Sequence, residues 1–366
     1  MNLAECEKIV LWGSGGQAEE IIRNQGGFKD VCQIIDIFDN DCERWGKKLG
    51  GFVIKSPELF KEAKYDKIVI ATTIYFDEVR EQLRRDMRIE DQYIENYLYF
   101  AKKKIMRKYK SVHSEEIQSI LKYLEKHNLD VFNYSFAEKY QNMCVEIGYD
   151  DIPGLFYVYH NGFRMYMARW LDAEEKVIHY YRSIMVEQDE LSPHKYMDQD
   201  FSVSDGDIVV DVGTAEGNFA LEILDKASKI YLIETDDEWV EALKYTFADY
   251  HKKVDIIHGY ASDITDGNRI ALNDVIKERV NFIKMDIEGD ESKALAGADY
   301  IIKRATRLKC AVCVYHNTED EEVICNFAKK MGLTASGTAG YMYYPVGDKQ
   351  RYYTPVLRRG IIRLKK

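Results

Sequence analysis

The sequence of 366 residues predicts an α/β protein made of two doubly wound domains joined by a helical connector. Short apolar runs alternate with helical patterns over residues 1–100, and a second alternation of the same kind begins near residue 205. Strands that alternate with helices form parallel sheets with helices on both faces. We therefore expect domains at 1–100 and 146–366, with the connector at 101–145.

In the first domain, the runs KIVLWGS, QIIDIFDND and KIVIATT predict strands, and the segments between them predict helices. The segment SPELFKEA begins with a serine and a proline, which are favoured at the cap and first turn of a helix. The connector should contain a helix that begins after Ser114 and carries apolar residues at helical spacing: Ile117, Ile120, Leu121 and Leu124.

The C-terminal domain begins with a tyrosine-rich stretch in which FYVYH and FRMYMARW predict strands. Five further apolar runs predict the strands of its main sheet: DIVVDV, KIYLIET, VDIIHGY, VNFIKMD and LKCAVCVYH. Cys310 and Cys313 lie on the last run at an odd spacing, which should turn their thiols to opposite faces and disfavours a zinc or redox pair.

Composition narrows the classes of function. The formal net charge of −11 argues against a nucleic-acid surface, and no apolar stretch reaches the roughly 20 residues that span a bilayer. The basic run at 101–110 is expected to be a solvated helix face, with contact to an anionic partner as the alternative. Seven scattered cysteines and an N-terminus without a signal-peptide layout indicate a cytoplasmic protein.

The first glycine-rich loop places Gly13, Gly15 and Ala18 in a G-x-G-x-x-A pattern between a strand and a helix. Such a loop brings backbone amides close to a phosphate, and Asp39, after the next strand, could accept from a ribose hydroxyl. With the IDIFDND strand, the loop resembles the Rossmann-like nucleotide-binding domains of bacterial glycan-modifying enzymes, which implies a nucleotide-sugar ligand. A domain that keeps this turn and binds nothing fits equally well.

The second glycine-rich loop follows Asp211 and contains Gly213 and Gly217 in a G-x-x-x-G pattern before a helix. These glycines permit a tight turn and a close approach of backbone to ligand. Glu234 ends the next strand, where a carboxylate can accept both ribose hydroxyls. The wide glycine spacing and the missing third glycine favour S-adenosylmethionine, a cationic sulfonium nucleoside, over a dinucleotide.

Residues 281–298 read NFIKMDIEGDE followed by ALAGA, which resembles the signature of the FkbM family of methyltransferases. The segments DVGTAEGNFAL, YLIET and VYHNTED look like motifs of the same family in the same order, so the resemblance covers about residues 185–366. It implies a class I S-adenosylmethionine-dependent methyltransferase fold. Because known members mostly modify hydroxyl groups, it also implies O-methylation of a sugar in a glycan or nucleotide-sugar pathway.

The expected cofactor contacts follow from the same motifs. Asp211 should hold the amino-acid end of the cofactor, and Glu234 its ribose. The family's usual aspartate in the third-strand turn is missing, so Tyr260 and Ala261 are the expected neighbours of adenine. The other candidate contacts are Gly213, Thr214, Glu216, Gly217, Asn218 and Asp286.

Transfer of a methyl group to a hydroxyl needs a base that removes the hydroxyl proton. The candidate catalytic residues are Asp286, which would bridge cofactor and acceptor, Glu288, which would orient a hydroxyl, and His316, whose ordinary pKa suits a base. Asp286 and Glu288 could also hold a divalent metal, although the sequence does not identify one. As structural alternatives, Glu288 would only favour a helix dipole and His316 would only end a strand.

The polar stretch at 187–196 is expected to form a lid over the cofactor, with Gln188, His194 and Tyr196 as its contact residues. A solvated turn is the alternative. Two other functions stay open: a dinucleotide-dependent oxidoreductase, in which the DIEG segment would have no role, and a non-catalytic cofactor-binding or assembly module. Assembly into a homo-oligomer is also left open.

Overall fold

The computed structural model describes residues 6–62, 64–345 and 352–366. Contacts divide the chain into two compact units: Met1–Tyr134 with Tyr343–Leu357, and Ser135–Met342 with Arg358–Lys366. The expected connector is shared between them, because its first part belongs to the N-terminal unit and its end to the C-terminal unit. None of the described helices is long and apolar enough to cross a membrane.

The N-terminal unit is a mainly parallel sheet covered by helices. Its strands are β1 (Glu7–Trp12), β2 (Cys32–Phe38), β3 (Lys48–Leu49), β4 (Phe52–Lys55), β5 (Lys67–Ile70) and β6 (Ile94–Asn96). Its helices are α1 (Gly16–Arg23), α2 (Phe76–Met87), α3 (Tyr99–Tyr109) and α4 (Glu115–Leu124). The strand order is β3-β4-β2-β1-β5-β6, and only β3 and β4 pair antiparallel.

Alternation along β1 explains why both faces of this sheet are covered. Ile9 and Leu11 pack with residues of α1 and α3, whereas Val10 and Trp12 pack with residues of α2. Each set of side chains lies on one face because successive residues of a strand point to opposite sides. The predicted α/β architecture follows from this burial on both faces.

Two helix predictions need correction in detail. The segment SPELFKEA forms a short 3-10 helix, Pro57–Glu62, instead of an α-helix. Ser114 does precede α4, and its carbonyl accepts from the Gln118 amide at 2.9 Å, but its side chain makes no capping hydrogen bond.

The basic run at 101–110 is only partly a solvated face, because its C-terminal part is exposed whereas Lys102 and Lys104 are not. Lys102 is buried and its Nζ lies 3.0 Å from Glu95 Oε2. Lys104 Nζ lies 3.2 Å from Asp30 Oδ1. These lysines fasten α3 to the sheet of the N-terminal unit through ion pairs, so their charge is already neutralised within the unit.

The C-terminal unit also has a mainly parallel sheet. Its strands are β7 (Ile147–Asp150), β8 (Leu155–His160), β9 (Phe163–Tyr166), β10 (Ile208–Val212), β11 (Lys229–Glu234), β12 (Val254–His258), β13 (Tyr260–Ala261), β14 (Arg269–Ile270), β15 (Phe282–Met285), β16 (Lys309–Cys313), β17 (Thr334–Gly337) and β18 (Ile361–Lys365). Its helices are α5 (Glu174–Glu187), α6 (Asn218–Glu222), α7 (Asp237–Thr246), α8 (Leu272–Val275), α9 (Glu291–Ala296), α10 (Asp299–Arg304) and α11 (Asp320–Met331).

Seven of these strands form the main sheet, in the order β12-β11-β10-β15-β16-β18-β17. Its first five strands are parallel, and β18 runs antiparallel between β16 and β17. Strands β7, β8 and β9 form a separate antiparallel sheet, and β13 pairs with β14. The carboxyl ends of β10, β11 and β15 therefore meet at one edge, where open parallel sheets bind ligands.

Candidate active site

A cavity of about 390 Å³ lies at this edge of the main sheet. It is bounded by the second glycine loop and by the residues that follow β11, β12 and β15. Six of the predicted site residues line it: Gly213, Glu234, Tyr260, Ala261, Asp286 and Glu288. These six residues therefore lie together at the carboxyl edge of the sheet.

The second glycine loop depends on backbone conformations that suit glycine. Gly213 has a φ of +73°, and a Cβ at this position would lie 1.9 Å from the carbonyl oxygen of Asp286. Gly217 has a φ of +85°, and its Cβ would press against Leu243 and Phe247 at 2.9 Å. The first glycine thus lets two strand ends approach each other, and the second lets the loop pack on α7.

Changing Gly213 to alanine should therefore disrupt the floor of the cavity. We expect a loss of about 2–4 kcal/mol in unfolding free energy from the left-handed backbone and the overpacking together, with loss of cofactor binding. Gly206→Ala is the matched control, because Gly206 has a φ of +81° and open space beside it. Calorimetric titration that finds normal cofactor affinity in Gly213→Ala would contradict this role.

Glu234 ends β11 and lines the cavity with its carboxylate held by backbone amides. Its Oε2 accepts from Ala215 N at 2.8 Å, and its Oε1 accepts from Thr235 N and Asp236 N at 2.7 and 2.9 Å. These bonds tie the strand end to the glycine loop and fix the direction of the carboxylate. A carboxylate has about four lone-pair sites, so Oε2, which accepts only one of these bonds, keeps one site for a ribose hydroxyl.

Asp211 does not line the described cavity, which corrects its expected direct contact with the cofactor. It is completely buried, and its Oδ1 lies 3.1 Å from Lys284 Nζ. Burial raises the pKa of Asp211 to about 6, against the opposing charge of Lys284. Lys284 also donates to the Gly213 carbonyl, so Asp211 supports the glycine loop through the lysine.

The other loop residues likewise support the cavity from outside its lining. Thr214 Oγ1 donates to the Asp211 carbonyl at 3.0 Å. Glu216 is buried and accepts from Tyr180 OH at 2.8 Å, and burial raises its pKa to about 7. Asn218 accepts from the amide of the next residue. We assign these three residues to loop structure.

Trp239 is a lining residue that the sequence analysis missed. Its ring lies 5.9 Å from Trp170 and 5.5 Å from Tyr180, so it is the inner member of an aromatic cluster. On the opposite side, Tyr260 OH donates to Asp290 Oδ2. The signal that could have identified Trp239 is its position in the first turn of α7, the helix that follows the acid at the end of β11.

Asp286 is the centre of a hydrogen-bonded group below the cavity. Its Oδ1 accepts from Tyr315 OH and its Oδ2 from Tyr196 OH, both at 3.0 Å. His194 Nε2 lies 3.4 Å from Oδ2. Burial would raise the pKa of Asp286, but hydrogen bonding and charge from His194, with the charge of Lys284, hold it well below its usual range. Asp286 is therefore a carboxylate at neutral pH.

His316 lies beside this carboxylate, just outside the cavity lining. Its Nε2 is 3.5 Å from Asp286 Oδ1 and 3.8 Å from Glu288 Oε2, and its Nδ1 is 3.1 Å from Glu291 Oε1. Burial would lower the pKa of His316, but these three carboxylates outweigh it and raise the pKa. Arg358 Nη1 donates to the His316 carbonyl at 3.2 Å and fixes its backbone.

Glu288 differs from its neighbours because its side chain is 79% exposed. It has a φ of +59°, an unusual conformation for a residue with a side chain. Gly289 follows with a φ of +102°. This left-handed turn lifts Glu288 to the rim of the cavity while Asp286 stays below it.

The stretch at 187–196 is not a lid, which corrects the expectation. His194 and Tyr196 are buried and hold Asp286 from the side away from the cavity lining. Gln188 donates to the His194 carbonyl at 3.2 Å and so fixes the segment. Tight hydrogen bonding makes this stretch a support for the strand-end acid.

Two groups of side chains in the described chain have donor atoms close enough for a metal ion: His194, Asp286 and Cys313, and Asp286, Glu291 and His316. Both groups share Asp286, whose two oxygens already accept from tyrosines. Because these hydrogen bonds occupy Asp286, we assign no metal to either group. Cys313 and Cys310 point in different directions, since Cys310 packs in the core and Cys313 Sγ lies 3.7 Å from His194 Nε2.

A larger cavity, of about 780 Å³, lies in the N-terminal unit at the first glycine loop. Asp39 Oδ2 accepts from Ser14 N at 2.7 Å and from Ser14 Oγ at 2.5 Å. Arg44 Nη1 donates to the Ser14 carbonyl at 2.8 Å. Asp39 thus fastens the loop and also lines this cavity, where a ribose acceptor is expected.

Comparison with known proteins finds matches to two family models, in separate parts of the chain. Residues 263–331 match the methyltransferase FkbM domain, and residues 5–95 match the family described as C2185-like, N-terminal. A protein named "Probable ribosomal RNA small subunit methyltransferase A", from Methanococcoides burtonii, is 36% identical over 87 residues, which are 23% of this chain. The chain spans about a third of that relative's length, 32%.

Solved structures with similar folds include a methyltransferase FkbM from Methylobacillus flagellatus KT. It is 17% identical, with a TM-score of 0.46, and the match covers 99% of this chain and 90% of that one. A "putative methyltransferase" from Streptococcus mutans in complex with SAH is 15% identical, with a TM-score of 0.33, covering 45% and 90% of the two chains. Within the C-terminal unit, residues 263–331 thus match the methyltransferase FkbM domain, and the cofactor that this match indicates is S-adenosylmethionine.

Proposed function

We propose that the C-terminal unit transfers the methyl group of S-adenosylmethionine to a hydroxyl group of a sugar, in a glycan or a nucleotide-sugar. The observation that carries this proposal is the position of His316. Its Nε2 lies 3.5 Å from the strand-end carboxylate of Asp286, beside the cavity. A hydroxyl acceptor needs a base at this edge, and imidazole suits that task.

The charge of the cavity fits a sulfonium cofactor. Its lining contains four acids and no lysine or arginine: Glu234, Asp236, Asp286 and Glu288. Such a lining attracts a cation and repels the diphosphate of a dinucleotide. It favours the methyltransferase over the oxidoreductase alternative.

When bound, S-adenosylmethionine supplies an electrophilic methyl group, and a neutral sulfur departs with the electron pair of the broken bond. In this proposal Glu234 accepts from the ribose hydroxyls, and Tyr260, Ala261 and Trp239 flank adenine. His316 Nε2 accepts the proton of the acceptor hydroxyl as its oxygen bonds to the methyl carbon. Asp286 stabilises the imidazolium that results.

The test is methyl transfer by the full-length chain from labelled S-adenosylmethionine to a panel of sugars, glycan fragments and nucleotide-sugars. We expect label on a hydroxyl oxygen of a sugar. Calorimetry should show binding of S-adenosylmethionine and no binding of NAD or NADP. NAD binding at this cavity, or label only on nitrogen or carbon acceptors, would overturn the proposal.

We propose as a second function that the N-terminal cavity binds the nucleotide part of a nucleotide-sugar. Gly15 and Gly16 support it, because the space beside each is open for 4 Å. Gly16→Val should weaken nucleotide-sugar binding in a calorimetric titration and leave the binding of S-adenosylmethionine unchanged. If the Gly16→Val variant and the wild-type chain bind the nucleotide-sugar with equal affinity, the N-terminal unit is a structural module.

The seven free cysteines support a reducing, cytoplasmic location.

A further inference from the structure

We propose that Glu291 is a positioning residue, which holds the His316 imidazole so that Nε2 is presented to the acceptor hydroxyl and which stabilises the charge that the ring acquires. This inference rests on the proposed function. Glu291 begins α9, where an acid also favours the helix dipole. Its contacts give it a more specific role.

Glu291 connects the turn that carries Glu288 with the ring of His316. Its Oε1 accepts from Ile287 N at 3.0 Å and from Gly289 N at 3.4 Å. The same oxygen lies 3.1 Å from His316 Nδ1. This is the shortest distance between the ring and a carboxylate, so it favours the tautomer with the proton on Nδ1 and the lone pair on Nε2.

The surroundings of Glu291 Oε2 explain how the carboxylate stabilises a positive charge on His316. The side chain is 2% exposed, and Oε2 has no hydrogen-bond partner in the described part of the chain. A buried carboxylate oxygen without a partner is costly unless a positive charge lies nearby. Imidazolium supplies that charge when His316 takes up a proton, so the pair favours the protonated product of the step.

Other charged groups also face His316, and the test must separate them from Glu291. They are Asp286 at the end of β15, Glu288 on the turn, Asp320 at the start of α11 and Arg358 on the backbone side. Of the three carboxylates nearest the ring, Glu291 is the most buried and lies at the shortest distance. Solvent therefore screens its charge least.

The experiment compares Glu291→Gln with the wild-type chain. Glutamine keeps an oxygen for the amides of Ile287 and Gly289 but removes the charge. We expect kcat to fall about 10- to 100-fold, less than the roughly 10²- to 10⁴-fold contribution of the base itself, with an unchanged KM for S-adenosylmethionine. The acidic limb of the kcat profile and the His316 pKa from NMR should both move to lower pH, because a carboxylate that favours imidazolium is gone.

Glu319→Gln is the matched control, since Glu319 is exposed and three residues from His316. The Glu319→Gln variant changes the net charge by the same amount, and it should shift neither the acidic limb of the kcat profile nor the His316 pKa. In a His316→Ala background, Glu291→Gln should cause no further loss of activity. If Glu291→Gln lowers activity in the His316→Ala background as much as it does in the wild-type chain, or if it leaves the His316 pKa unchanged, then Glu291 has only a structural role. The NMR titration needs no turnover, so it remains decisive for this contact even if sugar methylation fails.

Discussion

Replacing His316 with alanine is expected to lower kcat for methyl transfer by about 10²- to 10⁴-fold, the usual contribution of a general base. Binding of S-adenosylmethionine should stay within twofold, because His316 does not line the described cavity. The measurement is single-turnover transfer of a labelled methyl group at saturating cofactor, together with calorimetric affinity.

The pH profile adds a second check on this assignment. A raised pKa means that His316 is protonated, and inactive as a base, up to a higher pH than an ordinary histidine. Activity should therefore rise with pH through a value above 6.5, the usual pKa of histidine, and this limb should vanish in His316→Ala. His251→Ala, at an exposed histidine, is the control. Normal turnover in His316→Ala would move the role of base to another residue.

The largest effect on stability is expected from Asp211→Ala. This change leaves Lys284 buried without its carboxylate, and breaking a buried ion pair in this way costs about 3–5 kcal/mol. Cofactor affinity should also fall, because Lys284 holds the Gly213 carbonyl. Urea denaturation followed by near-ultraviolet circular dichroism measures the first effect, and calorimetry the second.

The double variant Asp211→Ala with Lys284→Met separates these two effects. An apolar pair in place of a buried ion pair is commonly neutral or stabilising, so most of the lost stability should return. Cofactor binding should not return, since methionine cannot donate to the Gly213 carbonyl. A single variant that loses less than about 1 kcal/mol would show that solvent reaches this pair.

The sequence predicted the parallel strands well because both of their faces are buried. β10, β11 and β15 are mainly apolar and are buried along almost their whole length, which is typical of strands covered on both sides. β17 could not be found in this way. Its sequence TASG is exposed at all four positions, so it has no apolar pattern, and it is a strand because it pairs with β18.

In the candidate site, too, some residues follow from the apolar pattern of the sequence, whereas others depend on how the strands pair. Glu234 and Asp286 lie at the cavity because they follow the last apolar residue of their strands. Asp211 precedes Val212 and therefore faces away from the core cluster that contains Val212. It lies opposite Lys284 in the register of β10 and β15, a partner that only strand pairing reveals.

The acidic lining of the cavity also has a consequence for release of the spent cofactor. S-adenosylmethionine carries a positive sulfur, and its demethylated product does not. The four carboxylates around the cavity attract the first through a charge that the second has lost. The demethylated product is therefore bound more weakly than S-adenosylmethionine. Exchange of the product for new cofactor is favoured without a conformational change.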